Sequence, residues 1–390
     1  MLRVLLILSL LFTFGLGISN SNLIKSQDFQ NVTYETENIK PDILKEINSS
    51  IDFDVFFNVG GKSFSKSLFK DLVSAQKSVE IFVYSFNDPN LFLQLDALAK
   101  KGIEVTIYTD YVKQTFLGPV LQKMDTGVNV IYLNKQFKTL SEAAYSMHHK
   151  TVIIDNTIAY WGSNNLTWFQ EDFDPGFMLR TTNENFLNVL NKDLDIIRRG
   201  ISGYTKLALK NYNPFVARFD LESEFYEFWR SPGYKQFSMR DRLIELIDNS
   251  ESSIKLMAWY LTDRDILSSL INAAKRGVNI TMLLDDFAAS RKDSAIKLNK
   301  GVFKSFKNVE IIFDTKNQDL VDFEQVMDPN FNSFLHFHTL IIDSEILFTS
   351  SNNFSRRGFF FNDELALITN QSKLLKDFSE YFDFMKARLN

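Results

Sequence analysis

The chain has 390 residues, with 43 Lys and Arg against 48 Asp and Glu, a formal net charge of −5 and no cysteine. The acidic balance argues against a general electrostatic attraction to nucleic acid. The missing thiols exclude disulfide scaffolds, thiolate zinc sites, iron–sulfur clusters and thiol catalysis. The length suits two or three domain-sized units with sizeable cores.

The N-terminal segment is typical of a secretory signal peptide. Arg3 precedes an apolar run at residues 4–16, and residues 15–17, Gly-Leu-Gly, offer the small-x-small pattern of a cleavage site. The run is shorter than the about 20 apolar residues that span a bilayer. We therefore expect residues 1–17 to be a signal peptide and the protein to be exported (secreted, periplasmic or lumenal), with an uncleaved membrane anchor as the alternative. Residues 18–50 are polar without a sustained period, which predicts a linker or a loosely held arm.

From about residue 51 the same series of predicted elements occurs twice. Each copy has a β-rich run, a helical stretch, a glycine at the helix end and a second β-rich run that ends in an aspartate. In the first copy these are residues 78–84, 91–98, Gly102 and 103–110, and in the second they are residues 253–260, 266–271, Gly277 and 278–285. A third strand is predicted at residues 128–132 and again at 309–313.

Strands that alternate with helices predict α/β layers with largely buried sheets. A single duplication of this length indicates two domain-sized halves and not a solenoid of short repeats. We therefore predict an α/β fold in which residues 51–205 form a first half and residues 206–390 form a second, similar half.

All four histidines lie in two short windows, one in each half. Residues 148–155 read HHKTVIID and are followed by GSNN at 162–165, whereas residues 336–343 read HFHTLIID and are followed by SSNN at 350–353. One offset relates the two windows, since 336 − 148 and 353 − 165 both equal 188.

The spacing within each window predicts a polar site at the end of a buried strand. Alternate side chains of an extended segment share a face, so His148 and Lys150 point together, as do His336 and His338, while His149 faces packing or solvent. Four short polar side chains lie one strand later and are able to donate hydrogen bonds to the same anion: Ser163, Asn165, Ser351 and Asn353. Together these groups predict a phosphate-sized site in which one histidine attacks as nucleophile and the other protonates the leaving group.

The pattern H-x-K-x4-D-x6-G-S-x-N, present twice in register, resembles the signature of the phospholipase D superfamily over residues 51–390. The first copy matches at His148, Lys150, Asp155, Gly162, Ser163 and Asn165. The second copy matches at His336, Asp343, Ser351 and Asn353, and departs with His338 in the Lys position and Ser350 in the Gly position.

The resemblance implies two similar α/β halves packed together around one active site, and a two-step cleavage of a phosphodiester without a metal or other cofactor. One histidine would form a phosphohistidine, and the other would act as general acid and then as base towards water. The family also carries a glutamate that orients a catalytic histidine, and Glu364 fits that position, whereas the first half has Gly176 there and only Asp174 nearby. We therefore expect His336 to be the better oriented imidazole. The resemblance leaves the nucleophile open, and we take His148.

The candidate catalytic residues are thus His148, Lys150, Asp155, His336, His338 and Asp343, and the candidate substrate-binding residues are Ser163, Asn165, Ser351, Asn353 and Glu364. Of these, Asp155 and Asp343 are expected to hold strand ends or turns beside the site. A zinc site built from the histidines is the alternative, with His336 and His338 at ligand spacing, but neither a thiolate nor an H-E-x-x-H pattern supports it.

The histidine in the second Lys position suggests a pH dependence. A lysine is a fixed cation near neutral pH, whereas a histidine is mostly neutral there. We hypothesise that the enzyme prefers mildly acidic conditions, in which His338 is protonated. Arg356 and Arg357 are alternative sources of the missing charge.

The sequence therefore predicts an exported phosphodiesterase that acts on a phospholipid at a membrane surface and needs no obligate protein partner. The first alternative is a secreted or periplasmic nuclease of the same superfamily. For that substrate a local basic track is available: Arg291, Lys292, Lys297, Lys300, Lys304 and Lys307. The second alternative, motivated by the altered second motif, is a catalytically weak protein that binds phosphodiesters.

Overall fold

The computed structural model describes residues 44–46, 49–113, 126–139, 141–168, 173–292, 294–315 and 334–389. The predicted signal peptide at residues 1–17, and most of the predicted arm at residues 18–50, lie outside this part of the chain. Among the described helices, none combines the length and the apolar character needed to cross a membrane.

The first half contains one sheet with helices on it. Its strands are β2 (Asp54–Phe57), β3 (Ser78–Val83), β4 (Glu104–Asp110), β5 (Asn129–Leu133), β6 (Lys150–Ile154), β7 (Ile158–Gly162) and β8 (Phe177–Thr181). Its helices are α1 (Phe64–Val73), α2 (Pro89–Lys100) and α3 (Glu184–Arg198). The strand order is β2-β8-β7-β6-β3-β4-β5. The neighbours β3, β4 and β5 are parallel, whereas β6 runs antiparallel to β3.

The second half repeats this plan and extends it. Its strands are β9 (Phe215–Asp220), β10 (Phe225–Ser231), β11 (Ser253–Ala258), β12 (Asn279–Asp285), β13 (Val309–Asp314), β14 (His338–Ile342), β15 (Ile346–Ser350) and β16 (Glu364–Thr369). Its helices are α4 (Met239–Asp248), α5 (Arg264–Arg276), α6 (Asp286–Ser290), α7 (Ala295–Phe303), α8 (Arg356–Phe360) and α9 (Ser372–Leu389). The run β10-β16-β15-β14-β11-β12-β13 has the same order as the first sheet.

The end of the predicted arm differs from the expectation. Strand β1 (Leu44–Glu46) pairs in parallel with β9 and so adds an edge strand to the second sheet. The prediction of a loose arm was therefore wrong for these three residues, because a short polar strand on a sheet edge leaves no periodic apolar signal.

The predicted duplication is present in the local structure. Asp88 caps α2 and Asp263 caps α5, and in each case the side chain accepts two helix N–H groups. Gly277 ends α5 in the left-handed region with φ +96°, and Gly102 has φ +90° just after α2. The α/β fold of two similar halves is thus confirmed, and the predicted boundary at residues 205–206 falls between α3 and β9.

One hydrophobic cluster joins the two sheets. It contains buried side chains of the first sheet, of α3, of the second sheet and of α9: Phe82, Ile153, Trp161, Phe186, Leu190, Met257, Ile341, Leu367, Phe378 and Phe382. Burial of each large apolar side chain contributes about 1.5–3 kcal/mol. The halves therefore share a core, which fixes how their histidine segments meet.

The two motif aspartates lie at the far ends of their strands from the histidines. Asp155 accepts the backbone N–H groups of Gln76, Lys77 and Ser78, and Asp343 accepts the equivalent three from residues 251–253. Both have positive φ, +52° and +54°. At about 3.3 Å per residue, roughly 20 Å of strand separates each from its histidine. These contacts support their expected role in holding a turn and not a direct part in catalysis.

We expect the Asp343→Ala substitution to lower the free energy of unfolding by about 1–3 kcal/mol, because three N–H groups and the Ser252 hydroxyl lose their acceptor. Burial acts to raise the pKa of Asp343, but the hydrogen bonds outweigh it and lower the pKa. Its contribution is therefore present above the unfolded pKa and disappears as the pH falls through the folded pKa.

Urea titrations at pH 7 and pH 3 measure both effects, with Asp343→Asn, which keeps one acceptor oxygen, as the intermediate variant. A fully stable Asp343→Ala protein without activity would return this residue to the catalytic set.

Candidate active site

The two motif histidines lie where the halves exchange backbone hydrogen bonds. The N–H of His148 donates to the carbonyl of Asp363 at 3.2 Å, and the N–H of His336 donates to the carbonyl of Pro175 at 2.7 Å. Asp363 comes directly before β16, and Pro175 lies just before β8. Because 363 − 175 equals 188, the offset of the two windows, this contact is two-fold symmetric. Each histidine thus lies against the opposite half of the chain.

The His148 imidazole is held by a carboxylate from the second half. Its Nδ1 lies 2.8 Å from Oε1 of Glu364. The other oxygen of Glu364 accepts the Ser351 hydroxyl at 2.7 Å, and the Asn362 amide donates to Oε1 at 3.2 Å. With Nδ1 donating to a carboxylate, the tautomer that carries a lone pair on Nε2 is favoured.

The partner of Glu364 corrects the expectation from the sequence. Glu364 orients His148 and not the imidazole of its own half, so His336 is not the better oriented ring. The reason is the exchanged backbone pairing, which brings the start of β16 against the first-half histidine. Gly176, the equivalent residue in the first half, has no side chain to offer His336. A Cβ at this position would overlap the carboxamide oxygen of Asn164 and lie 2.6 Å from its Cγ.

Lys150 lies against the same imidazole. Its Nζ is 2.9 Å from Nδ1 and 3.2 Å from Nε2 of His148, and it donates to the His148 carbonyl at 2.7 Å. Burial lowers the pKa of Lys150 to about 7, although the Glu364 carboxylate opposes the shift. Burial also raises the pKa of Glu364 to about 8, against the effect of Lys150 and of two hydrogen bonds. Lys150 and Glu364 therefore compete for protons near neutral pH, whereas burial, and then the Lys150 cation, lower the pKa of His148 well below its usual value.

The second histidine pair is buried and lacks ionic partners among the described residues. His336 and His338 contact each other with ring centroids 5.3 Å apart. In the described part of the chain, Nδ1 of His336 and both ring nitrogens of His338 have no hydrogen-bond partner. Burial, and then the nearby cation of Lys150, lower the pKa of His336 well below its usual value, while a hydrogen bond with the Ser163 backbone opposes this shift.

The environment of His338 in the free site disfavours the hypothesis that this ring is protonated in mild acid. Burial lowers the pKa of this imidazole well below the usual value, and the positive charges of His336, Lys150 and His148 act in the same direction. His338 therefore stays neutral under these conditions and does not replace a lysine. Of the two proposed substitutes, Arg357 lies near enough to His148 to lower the pKa of that ring, whereas Arg356 lies over the Phe361 ring.

The short polar residues of the motifs support the site. The Ser163 hydroxyl accepts the Phe177 N–H, and Asn165 Oδ1 accepts the Ser85 N–H. Ser351 donates to Glu364, as described above, and accepts the Leu365 N–H. Oδ1 of Asn353 is buried without a partner among the described residues. That these residues also bind the substrate phosphate stays a prediction.

His149 faces away from the site, as expected, into a buried charge network. Its Nε2 lies 2.8 Å from Asp193, which also contacts Lys206 at 2.8 Å and Arg230 at 3.2 Å. Lys206 continues to Asp363 at 2.6 Å. Burial acts to raise the pKa of Asp193, but the Lys206 cation and further partners outweigh it and lower the pKa. The network thus fixes Asp363, the residue that accepts the His148 N–H.

Two aromatic rings beside the histidines were not predicted as site residues. Tyr84 lies 4.9 Å from His148, and Trp259 lies 5.6 Å from His336, between ring centroids. Tyr84 follows β3 and Trp259 follows the equivalent strand β11, and 259 − 84 equals 175, the offset of the two strand–helix–strand copies. That shared offset was the available signal. Lys113, whose Nζ lies 4.8 Å from the Tyr84 ring centre, adds a further cation near His148.

Two alternatives from the sequence, a zinc site and a basic track for nucleic acid, were compared with the described residues. In the described part of the chain, no group of three or more His, Asp or Glu side chains is arranged to hold a metal ion. Within the predicted basic track, Lys297 donates to the Ser290 carbonyl, and Arg291 lies over the Tyr260 ring. The Lys300 side chain lies outside the described residues.

The sequence profile of the family described as "Cardiolipin synthase, PLD-like domain" matches residues 68–196 and 243–386. Cardiolipin synthase A of Yersinia pseudotuberculosis is 21% identical over 349 residues, which cover 83% of this chain and 67% of that protein.

The fold is shared with a solved structure. Phosphatidylserine synthase of Haemophilus influenzae aligns with a TM-score of 0.57 at 11% identity and covers 84% of both chains. Nuc of Salmonella typhimurium, a phospholipase D family member, aligns with a TM-score of 0.33 at 25% identity and covers 41% of this chain and 92% of Nuc. The profile match spans more than half of the chain and includes both histidine windows, so the chain belongs to the phospholipase D superfamily.

Proposed function

We propose that the protein is an exported phosphodiesterase that hydrolyses a phospholipid through a phosphohistidine on His148. The hydrogen bond between Nδ1 of His148 and Glu364 carries the assignment of the nucleophile. A carboxylate on Nδ1 leaves the lone pair of Nε2 free to attack and stabilises the positive charge that the ring gains when the bond to phosphorus forms.

In the first step, Nε2 of His148 attacks the phosphorus, and the bond between phosphorus and the leaving alcohol oxygen breaks. His336 donates its ring proton to that oxygen, so that the alcohol leaves neutral. Without substrate, burial and then the Lys150 cation lower the pKa of His336. The negative charge of a bound phosphodiester acts in the opposite direction and favours the protonated ring that this step requires. Lys150 supplies positive charge to the phosphate oxygens.

In the second step, neutral His336 accepts a proton from water while the water oxygen attacks the phosphorus. The bond between phosphorus and His148 breaks, and the products are a phosphomonoester and the original two imidazoles. An alcohol in place of water would give phosphatidyl transfer by the same proton movements.

Two observations support a lipid substrate. The relatives matched over most of the chain are named cardiolipin synthases. A series of aromatic rings also leads from solvent to the site: Phe287, which is 52% exposed, contacts Phe334 at 6.0 Å, which contacts Trp259 at 5.7 Å beside His336. Aromatic rings of this kind suit the interfacial region of a lipid surface. The exposed acidic Asp286 next to Phe287 disfavours a nucleic acid at the same place.

We expect the mature protein, with chelator present, to release headgroup from labelled phospholipid vesicles and to leave single-stranded DNA intact. His148→Ala and His336→Ala should lower this turnover by at least about 100-fold, since each removes a group that takes part in bond making or proton transfer. Glu227→Gln, which changes a buried side chain that pairs with Arg218 and Arg242 outside the site, is the control and should stay active.

DNA cleavage that both catalytic variants abolish would replace the lipid assignment with a nuclease. Binding of either substrate without turnover from pH 5 to 8 would favour the catalytically weak binding protein. Added glycerol in the same vesicle assay distinguishes hydrolysis from phosphatidyl transfer.

We expect Glu364→Gln to slow formation of the phosphoenzyme by about 100-fold or more with little change in KM. An amide nitrogen facing Nδ1 favours the tautomer that carries its proton on Nε2, and this tautomer cannot attack. Rapid-quench trapping of phosphohistidine measures the step. Glu227→Gln, a buried glutamate paired with Arg218 and Arg242 outside the site, is the control. Equal rates for both variants would contradict the role given to Glu364.

We expect kcat/KM to have a falling limb as the pH rises through about 7, because Lys150 loses its proton there and with it the charge that binds phosphate. Ionisation of Glu364 near pH 8 acts in the opposite direction, because the carboxylate form orients His148. Lys150→Arg should move this limb to higher pH, since an arginine stays charged. His338→Asn should leave the limb in place, because His338 is neutral throughout. If the pH at which kcat/KM falls changes in His338→Asn and not in Lys150→Arg, protonation of His338 and not of Lys150 controls the activity.

A further inference from the structure

Two buried aspartates outside the motifs contact the backbone just before the two histidines. Asp110 ends β4, and its Oδ2 accepts the N–H of Met147 at 3.0 Å. Asp285 ends β12, and its Oδ2 accepts the N–H of Leu335 at 3.1 Å. Met147 and Leu335 directly precede His148 and His336. Since 285 − 110 equals 175, the two aspartates are equivalent positions of the duplicated halves.

Each carboxylate also binds its own half at the end of the strand. Oδ1 of Asp110 accepts the Val112 N–H at 3.3 Å, and Oδ2 accepts the Asn134 amide at 2.8 Å. Oδ1 of Asp285 accepts the Ala288 N–H at 2.8 Å and so caps α6. A capping role at the strand end, with a place at the mouth of the site as the alternative, is what the sequence predicts for Asp110 and Asp285. In both aspartates Oδ1 binds the residues that follow the strand, whereas Oδ2 binds the residue directly before the motif histidine.

The next N–H along each segment is bound by the opposite half. His148 N–H donates to Asp363, and His336 N–H donates to Pro175. Consecutive peptide groups are therefore fixed by different halves, the first by an aspartate of the same half and the second by a strand of the other. This arrangement sets the backbone position of each imidazole relative to both sheets.

The burial of these carboxylates is unfavourable by itself. Asp110 is fully buried, Asp285 is 2% exposed, and burial raises the pKa of both, to about 7 for Asp285. A buried carboxylate is retained where its hydrogen bonds are needed. The equivalent pair Asp88 and Asp263 provides a comparison, because these buried aspartates cap α2 and α5 by accepting N–H groups of those helices, and Asp263 also lies 3.9 Å from Arg240.

We infer that Asp110 and Asp285 are positioning residues, Asp110 for His148 and Asp285 for His336, and that they act through the backbone of Met147 and Leu335. The inference rests on the proposed function only for the chemical roles of the two histidines. It gives each half one carboxylate that fixes the separation between the nucleophile and the proton donor.

We expect Asp285→Asn to slow cleavage of phosphatidylcholine by about 10- to 100-fold with KM unchanged, and to slow cleavage of the p-nitrophenyl ester of the same phosphatidic acid much less. An asparagine keeps one acceptor oxygen and turns an N–H donor towards the other peptide N–H, so one of the two contacts is lost. Choline needs a proton in order to leave, whereas p-nitrophenolate does not. Asp110→Asn should slow both substrates, because both need the attack by His148.

His336→Ala and His148→Ala on the same two substrates give the reference patterns, and Asp263→Asn and Asp88→Asn are the matched controls. The inference is supported if Asp285→Asn loses rate on the two substrates in the same proportion as His336→Ala, but by a smaller factor. The same comparison applies to Asp110→Asn and His148→Ala. Equal losses on both substrates in Asp285→Asn and Asp263→Asn overturn it. If His336→Ala itself shows no dependence on the leaving group, the proposed proton donor is wrong.

If Asp285→Asn unfolds, Asp285→Glu keeps both oxygens and moves them by one methylene group, and should give the same selective loss. If DNA proves to be the substrate, alkyl and p-nitrophenyl esters of thymidine phosphate provide the same comparison.

Discussion

The site depends on one hydrogen bond that crosses the boundary between the halves, from His148 to Glu364. The carboxylate is fully buried, and an isolated buried carboxylate costs several kcal/mol. It is retained here because the His148 ring, the Ser351 hydroxyl and the Asn362 amide all bind it. One half thus supplies the imidazole and the other half supplies the group that orients it. Neither half alone contains both the His148 imidazole and the carboxylate that orients it.

A three-residue segment makes this crossing rigid. Asn362 accepts the Ser146 N–H, Asp363 pairs with Met147 in a parallel bridge, and Glu364 reaches His148. Behind the segment, Lys206 pairs with Asp363 and links it to the first half through Asp193. Removal of one member of such a buried network leaves an uncompensated charge. The network and the shared apolar core therefore hold the two halves in the one arrangement in which the imidazole and the carboxylate meet.

Much of the fold was predictable from the sequence, because the duplication leaves a strong periodic signal. The strands around Gly102 and Gly277, the two histidine windows and the buried face of His149 follow from apolar spacing and alternation. The partner of Glu364 does not, since a duplicated sequence is equally compatible with a glutamate that serves its own half and one that serves the other. The exchanged pairing of residues 148 and 363 decides between them.

The sequence also could not predict the protonation state of His338 or the contacts between residues that are distant in the chain. The motif places His338 where a lysine is expected, but the charge of an imidazole depends on its burial, which a motif does not report. Asp155 and Asp343 belong to the same signature as the histidines, yet lie at the other ends of their strands with positive φ. Asp110 and Asp285 look like ordinary strand ends until the structure brings residues 147 and 335 against them.

The space beside Gly176 makes the division of labour between the halves difficult to reverse. The Asn164 carboxamide occupies the volume into which a side chain at position 176 would extend. A substitution that gave the first half its own glutamate would therefore require the Asn164 carboxamide to move. Although the halves repeat one architecture, the carboxylate that orients a motif histidine comes from the second half, and the space for an equivalent side chain in the first half is filled by Asn164.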